Sequence, residues 1–385
     1  MTKAGEYVPA LINMLIQERL KMSMQIRLER YFYPVGQGLC CLETFKCDGE
    51  KTFTIVYDCG SGMQEKPNQD AVENIKKFIN SQPTIDVLIL SHFHNDHTNM
   101  VEELIKISAN IKKIIIPYID KKEYNMLRYI DANCNIRLLN SSVSEENYLN
   151  ISTLFLRNEL EGSDEIESLI PEFVKKIWNY RIFNYQFITR SEEFKKQITK
   201  EEIEYKDLDK AEYVLENKDK LKRIYKSIGD LNEQSIILFS YPKSSCKDIV
   251  DLRKTSCLKV LCLKHCIYSC CKDSCIYYYS KLNYIYSGCI YFGDYPIKTD
   301  RNYLKIDKMF KYICKYVGLI QFPHHGGSIG KKQRIIKRNT NYVFSFGIGN
   351  SYGHPKKESV SAVLQSNNCP IFVTEYCGYV QYYII

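Results

Sequence analysis

The chain has 385 residues, 45% of them hydrophobic and 25% charged, a balance that excludes a disordered chain and allows two average domains or one large domain with insertions. The formal net charge of +8 mildly favours an anionic partner. No run of eighteen apolar residues occurs, and Glu6, Gln17, Glu18 and Arg19 interrupt the stretch where an export signal would be apolar. The expectation is a cytoplasmic protein without a membrane span, whose 16 cysteines are free thiols rather than a disulfide framework.

Residues 1–24 read as an amphipathic helical extension, with Leu11, Ile12, Leu15 and Ile16 at helical spacing. Strands follow at Gln25 to Phe32, Leu39 to Thr44 and Thr52 to Tyr57, separated by turns at 35–38 and 47–49; the third ends in Asp58-Cys59-Gly60-Ser61-Gly62. A helix near Asp70 to Asn80 precedes the apolar run Val87-Leu88-Ile89-Leu90, read as a strand buried on both faces. A helix from Thr98 to Ser108 and a strand at Lys113 to Pro117 continue the alternation. Residues 141–231 carry charged helical patterns with little strand signal and read as a helical insertion. Ser235 to Ser240 is a clean strand, 246–286 is a Cys/Tyr-rich insertion in a hairpin, and Gly288 to Asp294 is a strand ending in Gly-Asp. Strands at Val317 to Phe322 and Tyr342 to Phe346, a helix at Glu358 to Gln365, and strands at Pro370 to Thr374 and Tyr379 to Ile384 complete an α/β domain made of 25–140 and 232–385.

The chemistry concentrates after the apolar run, in Ser91-His92-Phe93-His94-Asn95-Asp96-His97. In an extended loop His92 and His94 point the same way and can serve one ion. Asp96 and His97, at the start of the next helix, can serve a second. Imidazole nitrogen and carboxylate oxygen suit Zn²⁺, Mn²⁺ or Fe²⁺. Asp58, Asp294, His324, His325 and His354 also stand at predicted strand ends, the edge where sites assemble in α/β sheets. Six of the seven histidines fall in three such loops, and only His265 lies elsewhere.

With Asp58 ending an earlier strand, His92-x-His94-x-Asp96-His97 resembles the metallo-β-lactamase superfamily, whose fold is a four-layer αββα sandwich. Val35-Gly36-Gln37-Gly38, Phe292-Gly293-Asp294, His324-His325-Gly326-Gly327 and Asn350-x-Tyr352-Gly353-His354-Pro355 further resemble the soluble hydrolase domain of the DNA-uptake protein ComEC. The resemblance covers about residues 25–140 and 232–385. It implies two divalent metal ions, Zn²⁺ or Mn²⁺, held by His92, His94, Asp96, His97, Asp294, His324 and His354, with Asp294 shared between them. Two cations about 3.5–4 Å apart need shared negative charge, and water between them has its pKa lowered to about 7. Asp96 counts as catalytic as well as a ligand. Of His324 and His325 either could face the metals; His325 is assigned the proton for the leaving group. Many family members carry a further ligand histidine before the shared aspartate, where this chain has only His265 among cysteines.

The basic run Lys331, Lys332, Arg334, Lys337 and Arg338 follows the His-His-Gly-Gly loop and could hold a polyanion. With the ComEC resemblance it points to DNA, RNA or another phosphodiester as substrate. The alternatives are a hydrolase of a small ester, lactone or nucleotide, and an interaction subunit of a multi-protein antiviral defence system that docks its partner through 141–231. Cys262, Cys266 and Cys270 recur every four residues beside His265, Cys271 and Cys275; a helical cysteine stripe facing the core, or composition drift in a tolerant loop, explains them better than a zinc site. Tyr277, Tyr278 and Tyr279 are read as packing rather than as base-stacking groups.

Overall fold

The computed structural model describes residues 26–48, 51–62, 84–107, 110–117, 121–130, 152–156, 162–184, 187–228, 231–243, 286–330 and 333–384. Six strands in chain order build the first sheet: β1 (Ile26–Phe32), β2 (Cys40–Cys47), β3 (Lys51–Cys59), β4 (Thr84–Ile89), β5 (Asn110–Pro117) and β6 (Ser152–Leu156). The next six, β7 (Trp178–Phe183), β8 (Ile237–Pro242), β9 (Gly288–Tyr291), β10 (Val317–Gln321), β11 (Asn341–Ser345) and β12 (Pro370–Val373), build the second. The last strand, β13 (Tyr379–Ile384), returns to pair antiparallel with β1. Each sheet changes from antiparallel to parallel part-way: β3 to β6 are parallel in the first, and β9 to β12 in the second. Parallel strands end at one edge, so the loops leaving β4, β9, β10 and β11 can meet.

Period-two alternation assigns the layers. Ile115 of β5 and Val343 of β11 face the space between the sheets, where they join Phe45, Phe53, Leu238 and Leu319. Their neighbours face outward. Ile114 and Ile116 pack with Met126, Leu127, Phe194, Ile198, Leu221 and Ile224 from helices Lys121–Ile130, Phe187–Lys200 and Lys218–Ser227. Tyr342 and Phe344 pack with Ile306, Phe310, Ile313, Ala362 and Val363 from helices Asp300–Ile313 and Lys357–Gln365. Each fully buried Leu, Ile or Phe contributes about 1.5–3 kcal/mol. Helix, sheet, sheet, helix is the αββα sandwich that the resemblance implies.

Helix Asp300–Ile313 stands where no element was expected. Tyr303, Ile306, Phe310 and Ile313 form its buried stripe among charged residues, and the Thr299 side chain caps its start by accepting from the Asn302 N–H. The interval 141–231, expected as a helical insertion, also contributes β6 to the first sheet and β7 to the second. β7 is six residues long and sits among charged helices, so its alternation of Trp178, Tyr180 and Ile182 with polar residues is a short signal in a helical context. The expected N-terminal extension, the helix at 70–80 and nearly all of the Cys/Tyr-rich insertion lie outside the described residues. Among the described residues no helix is long and apolar enough to cross a membrane.

Candidate metal centre

β4 is buried along almost its whole length, and the chain leaving it carries His92 and His94 before the short helix Asn95–Thr98 brings in Asp96 and His97. Asp294 follows β9, the turn His324–Gly326 follows β10, and His354 lies in the loop after β11. Tight backbone approaches let these loops meet. Gly293 has φ +54°, and a Cβ there would sit 2.7 Å from the Ser91 side chain. A Cβ on Gly38 would run into the Gly60 carbonyl and lie 2.7 Å from that of Asp96. His324 and His325 both adopt φ +52°, a conformation uncommon outside glycine that turns their side chains apart.

Two groups of donor atoms result, each within 4.8 Å: His92, His94 and Asp294, and Asp96, His97, Asp294 and His325. Asp294 belongs to both. His97 Nε2 lies 3.1 Å from Asp294 Oδ1 and 3.2 Å from His325 Nε2; His325 Nε2 lies 3.2 Å from Asp96 Oδ2 and 3.5 Å from Asp294 Oδ1. In the other group His92 Nε2 stands 3.0 Å from His94 Nδ1 and 3.9 Å from Asp294 Oδ2. The edge of a tetrahedron with metal–ligand bonds of about 2.0–2.1 Å is about 3.3 Å, so the tighter separations match donors gathered round one cation. Asp294 is 3% exposed, yet among the described residues no hydrogen bond is aligned on its Oδ1. An unsatisfied buried carboxylate oxygen is costly unless a cation completes it, so the residues present fit divalent ions.

A second ring of contacts aims the imidazoles. His97 Nδ1 donates to Asp58 Oδ2 at 2.8 Å, and His325 Nδ1 to the Ser345 carbonyl at 2.9 Å, leaving each Nε2 directed inward. The Ser91 hydroxyl donates its one proton to Asp58 Oδ2 at 2.7 Å, so at 2.9 Å it accepts from His92 Nδ1. That leaves the His92 Nε2 lone pair for the centre. Asp58 stood out in the sequence as a strand-end carboxylate without an assigned role; Ser91 and Ser345 were missed. Adjacency to His92 was the one signal for Ser91, and Ser345 acts through its backbone, which carries none.

Electrostatics agree with a negatively biased centre. Burial opposes charge on His97, but Asp294, Asp58 and Asp96 outweigh it and hold its pKa well above the ordinary value. Burial likewise opposes charge on His325, and Asp294 and Asp96 overcome it. Burial would raise the Asp294 and Asp96 carboxyls; His97 and His325 turn both below the usual range. His92 is pushed down by burial and by its neighbours His97 and His94.

No protein-family profile matches this sequence, and no curated protein does. Among solved structures the chain is similar to a long form RNase Z from yeast, at 9% identity and TM-score 0.37, over 91% of this chain and 41% of that chain. It is also similar to a new diphosphatase from the PhnP family, at 10% identity and TM-score 0.21, over 36% of this chain and 53% of that chain. The chain therefore spans less than two thirds of either. At these scores neither likeness bears on what the protein does.

Above the donors opens a cleft of about 430 Å³ lined by residues that include Gln37, His94, Asp96, Asp294, His324, His325, Tyr352 and His354. His324 and His354 belong to neither donor group. The His324 side chain is 40% exposed, with Nε2 3.8 Å from Asp294 Oδ2. Burial, with His324 and His325 nearby, lowers the His354 pKa to about 4. The structure thus brings His92, His94, Asp96, His97, Asp294 and His325 together, with His324 and His354 one layer out. Of the basic residues expected to hold substrate, Lys331 and Lys332 lie outside the described residues. Arg334 pairs with Asp300 at 3.2 Å and lies over the Tyr303 ring at 5.1 Å, beside a separate pocket of about 200 Å³.

Proposed function

We propose that this protein is a metal-dependent phosphodiesterase, a nuclease acting on DNA or RNA. The carrying observation is the pair of donor groups that share Asp294 at the floor of an open cleft. His92, His94 and Asp294 would hold one divalent cation, Zn²⁺ or Mn²⁺, and Asp96, His97, Asp294 and His325 a second. Divalent cations at such a site lower the pKa of water toward about 7 and neutralise charge on phosphoryl oxygens.

The chain's own residues supply orientation and proton handling. Asp58, Ser91 and the Ser345 carbonyl fix the imidazoles of His97, His92 and His325, so they need not reorganise when substrate arrives. With His325 among the donors, protonation of the leaving oxygen passes to His324 Nε2, which faces the cleft from its solvent side. His354, with its pKa near 4, is neutral at neutral pH and serves as a polar wall rather than the acid. Gln37, Asp294, His324, His325, Tyr352 and His354 come from the four motifs that resemble the ComEC hydrolase domain, and all line this cleft.

The test is incubation of Mn²⁺- or Zn²⁺-loaded protein with single- and double-stranded DNA, RNA and a generic phosphodiester, with Asp96→Ala and Asp294→Ala as controls. Cleavage by the parent and its loss in both variants is the expected result. Equal cleavage by the variants, or no bound transition metal by elemental analysis after loading, overturns the reading.

A further inference from the structure

Large aromatic rings are held in solvent at a cost, and Tyr352 is one of them. It is 63% exposed, at the mouth of the cleft. Its loop is not loose. The Asn350 carboxamide donates to the carbonyls of Gly347 and His354, both at 2.7 Å, and accepts from the His354 N–H at 3.0 Å. Lys356 Nζ donates to the Tyr352 carbonyl at 2.8 Å. A short loop stapled at both ends therefore presents this ring in one place.

The rings beneath it form a stair. The His325 and His354 planes are 31° apart with centroids 6.4 Å apart, and those of His354 and Tyr352 are 25° apart at 6.0 Å. Ring faces inclined to one another by 31° and 25° thus step from the buried donor group out to solvent. Asn232 also lines the cleft, and its carboxamide oxygen is buried without a hydrogen-bond partner among the described residues. An open aromatic face and a buried amide oxygen lining the same cleft together fit a planar, polar-edged group.

We infer that Tyr352 is the platform on which the nucleobase flanking the scissile phosphate stacks, making the site selective for nucleotides over bare phosphodiesters. This rests on the phosphodiesterase reading above. Stacking on an aromatic face tolerates any base, so the selectivity is for the presence of a base rather than its identity.

The test compares Tyr352→Ala and Tyr352→Phe with the parent, on short oligothymidylate and oligouridylate strands and on a same-length strand of abasic tetrahydrofuran phosphodiesters, with Mn²⁺ present. In Tyr352→Ala the preference for base-bearing over abasic strand, as a ratio of kcat/KM values, should fall by about fivefold to a hundredfold, the range set by losing one base–aromatic stack. The loss should appear in KM, and Tyr352→Phe should keep the preference. Independently of turnover, 2-aminopurine in a bound strand should be quenched by the parent and by Tyr352→Phe, but not by Tyr352→Ala. A parent that binds and cleaves strands, with Tyr352→Ala losing equally on both kinds or keeping the quenching, overturns the stacking role alone. A parent that neither binds nor cleaves any strand overturns it together with the phosphodiesterase reading.

Discussion

Two of the polar clusters buried among the described residues are finished in opposite ways. Between the sheets, Glu43 of β2 is 3% exposed and accepts from Arg30 Nε at 2.6 Å, Tyr180 and Ser240 hydroxyls at 2.5 Å, and the Tyr291 hydroxyl at 3.0 Å. Trp178 Nε1 donates to Ser240 Oγ at 2.8 Å, and the Arg30 guanidinium lies 5.6 Å from the Trp178 ring centroid. Asp294 is equally buried at the strand ends, yet its neighbours are imidazole nitrogens at ligand spacing, and among the described residues its Oδ1 receives no aligned hydrogen bond. Burial of charge is common to both. What separates a structural cluster from a binding centre is whether its lone pairs are used up within the protein.

Substituting the carboxylate in each cluster should therefore break different properties. Asp294→Ala is expected to lower hydrolysis by about a hundredfold to a thousandfold, the scale for removing one preorganised charge-stabilising group. It should also abolish thermal stabilisation by added Zn²⁺ or Mn²⁺, which in the parent amounts to about 2.7 kcal/mol at a hundred times Kd. Calorimetric melts with and without metal measure this, and undiminished metal stabilisation in the variant would remove Asp294 from the centre. Glu43→Ala is expected to leave metal stoichiometry per folded molecule intact while costing about 3–5 kcal/mol, because it strands the buried Arg30 guanidinium. Denaturant unfolding reads that cost. A loss below about 1 kcal/mol would erase the contrast between the clusters.

How much of the centre could be read in advance follows the same division. Donors at strand ends are legible because an apolar run that stops at histidine or aspartate announces both a buried strand and a reactive loop; β4 and β10 do so directly. Which of His324 and His325 turns inward is not legible. That choice depends on positive φ at both residues and on a carbonyl acceptor at Ser345, twenty residues away. β7 is hidden for another reason, since six residues make a short signal among charged helices, whereas helix Asp300–Ile313 does carry a legible signal in its stripe of Tyr303, Ile306, Phe310 and Ile313 and its Thr299 cap. The contacts behind the donors are hidden likewise, and Asp58 tests their weight. Asp58→Asn keeps the size but weakens the grip on His97 Nδ1, and should cost about 10- to 100-fold in metal affinity by competition titration. An unchanged affinity would mean that the His97 orientation is set by packing alone.

The smallest expected effect concerns Arg334, where a basic run near the cleft predicted a substrate contact. Its side chain is 29% exposed and the paired Asp300 is 51% exposed, so solvent screens the ion pair and Arg334→Ala should cost at most about 1 kcal/mol in thermal unfolding. A guanidinium tied to Asp300 and resting on Tyr303 is not positioned to displace counterions from a strand lying over Asp294. Each phosphate contact steepens the dependence of log binding on log salt by about one unit, so strand binding by Arg334→Ala should keep the parent slope. A slope shallower by about one unit in the variant would put Arg334 back on the substrate's path, and would mean that the Asp300 pair opens when nucleic acid arrives.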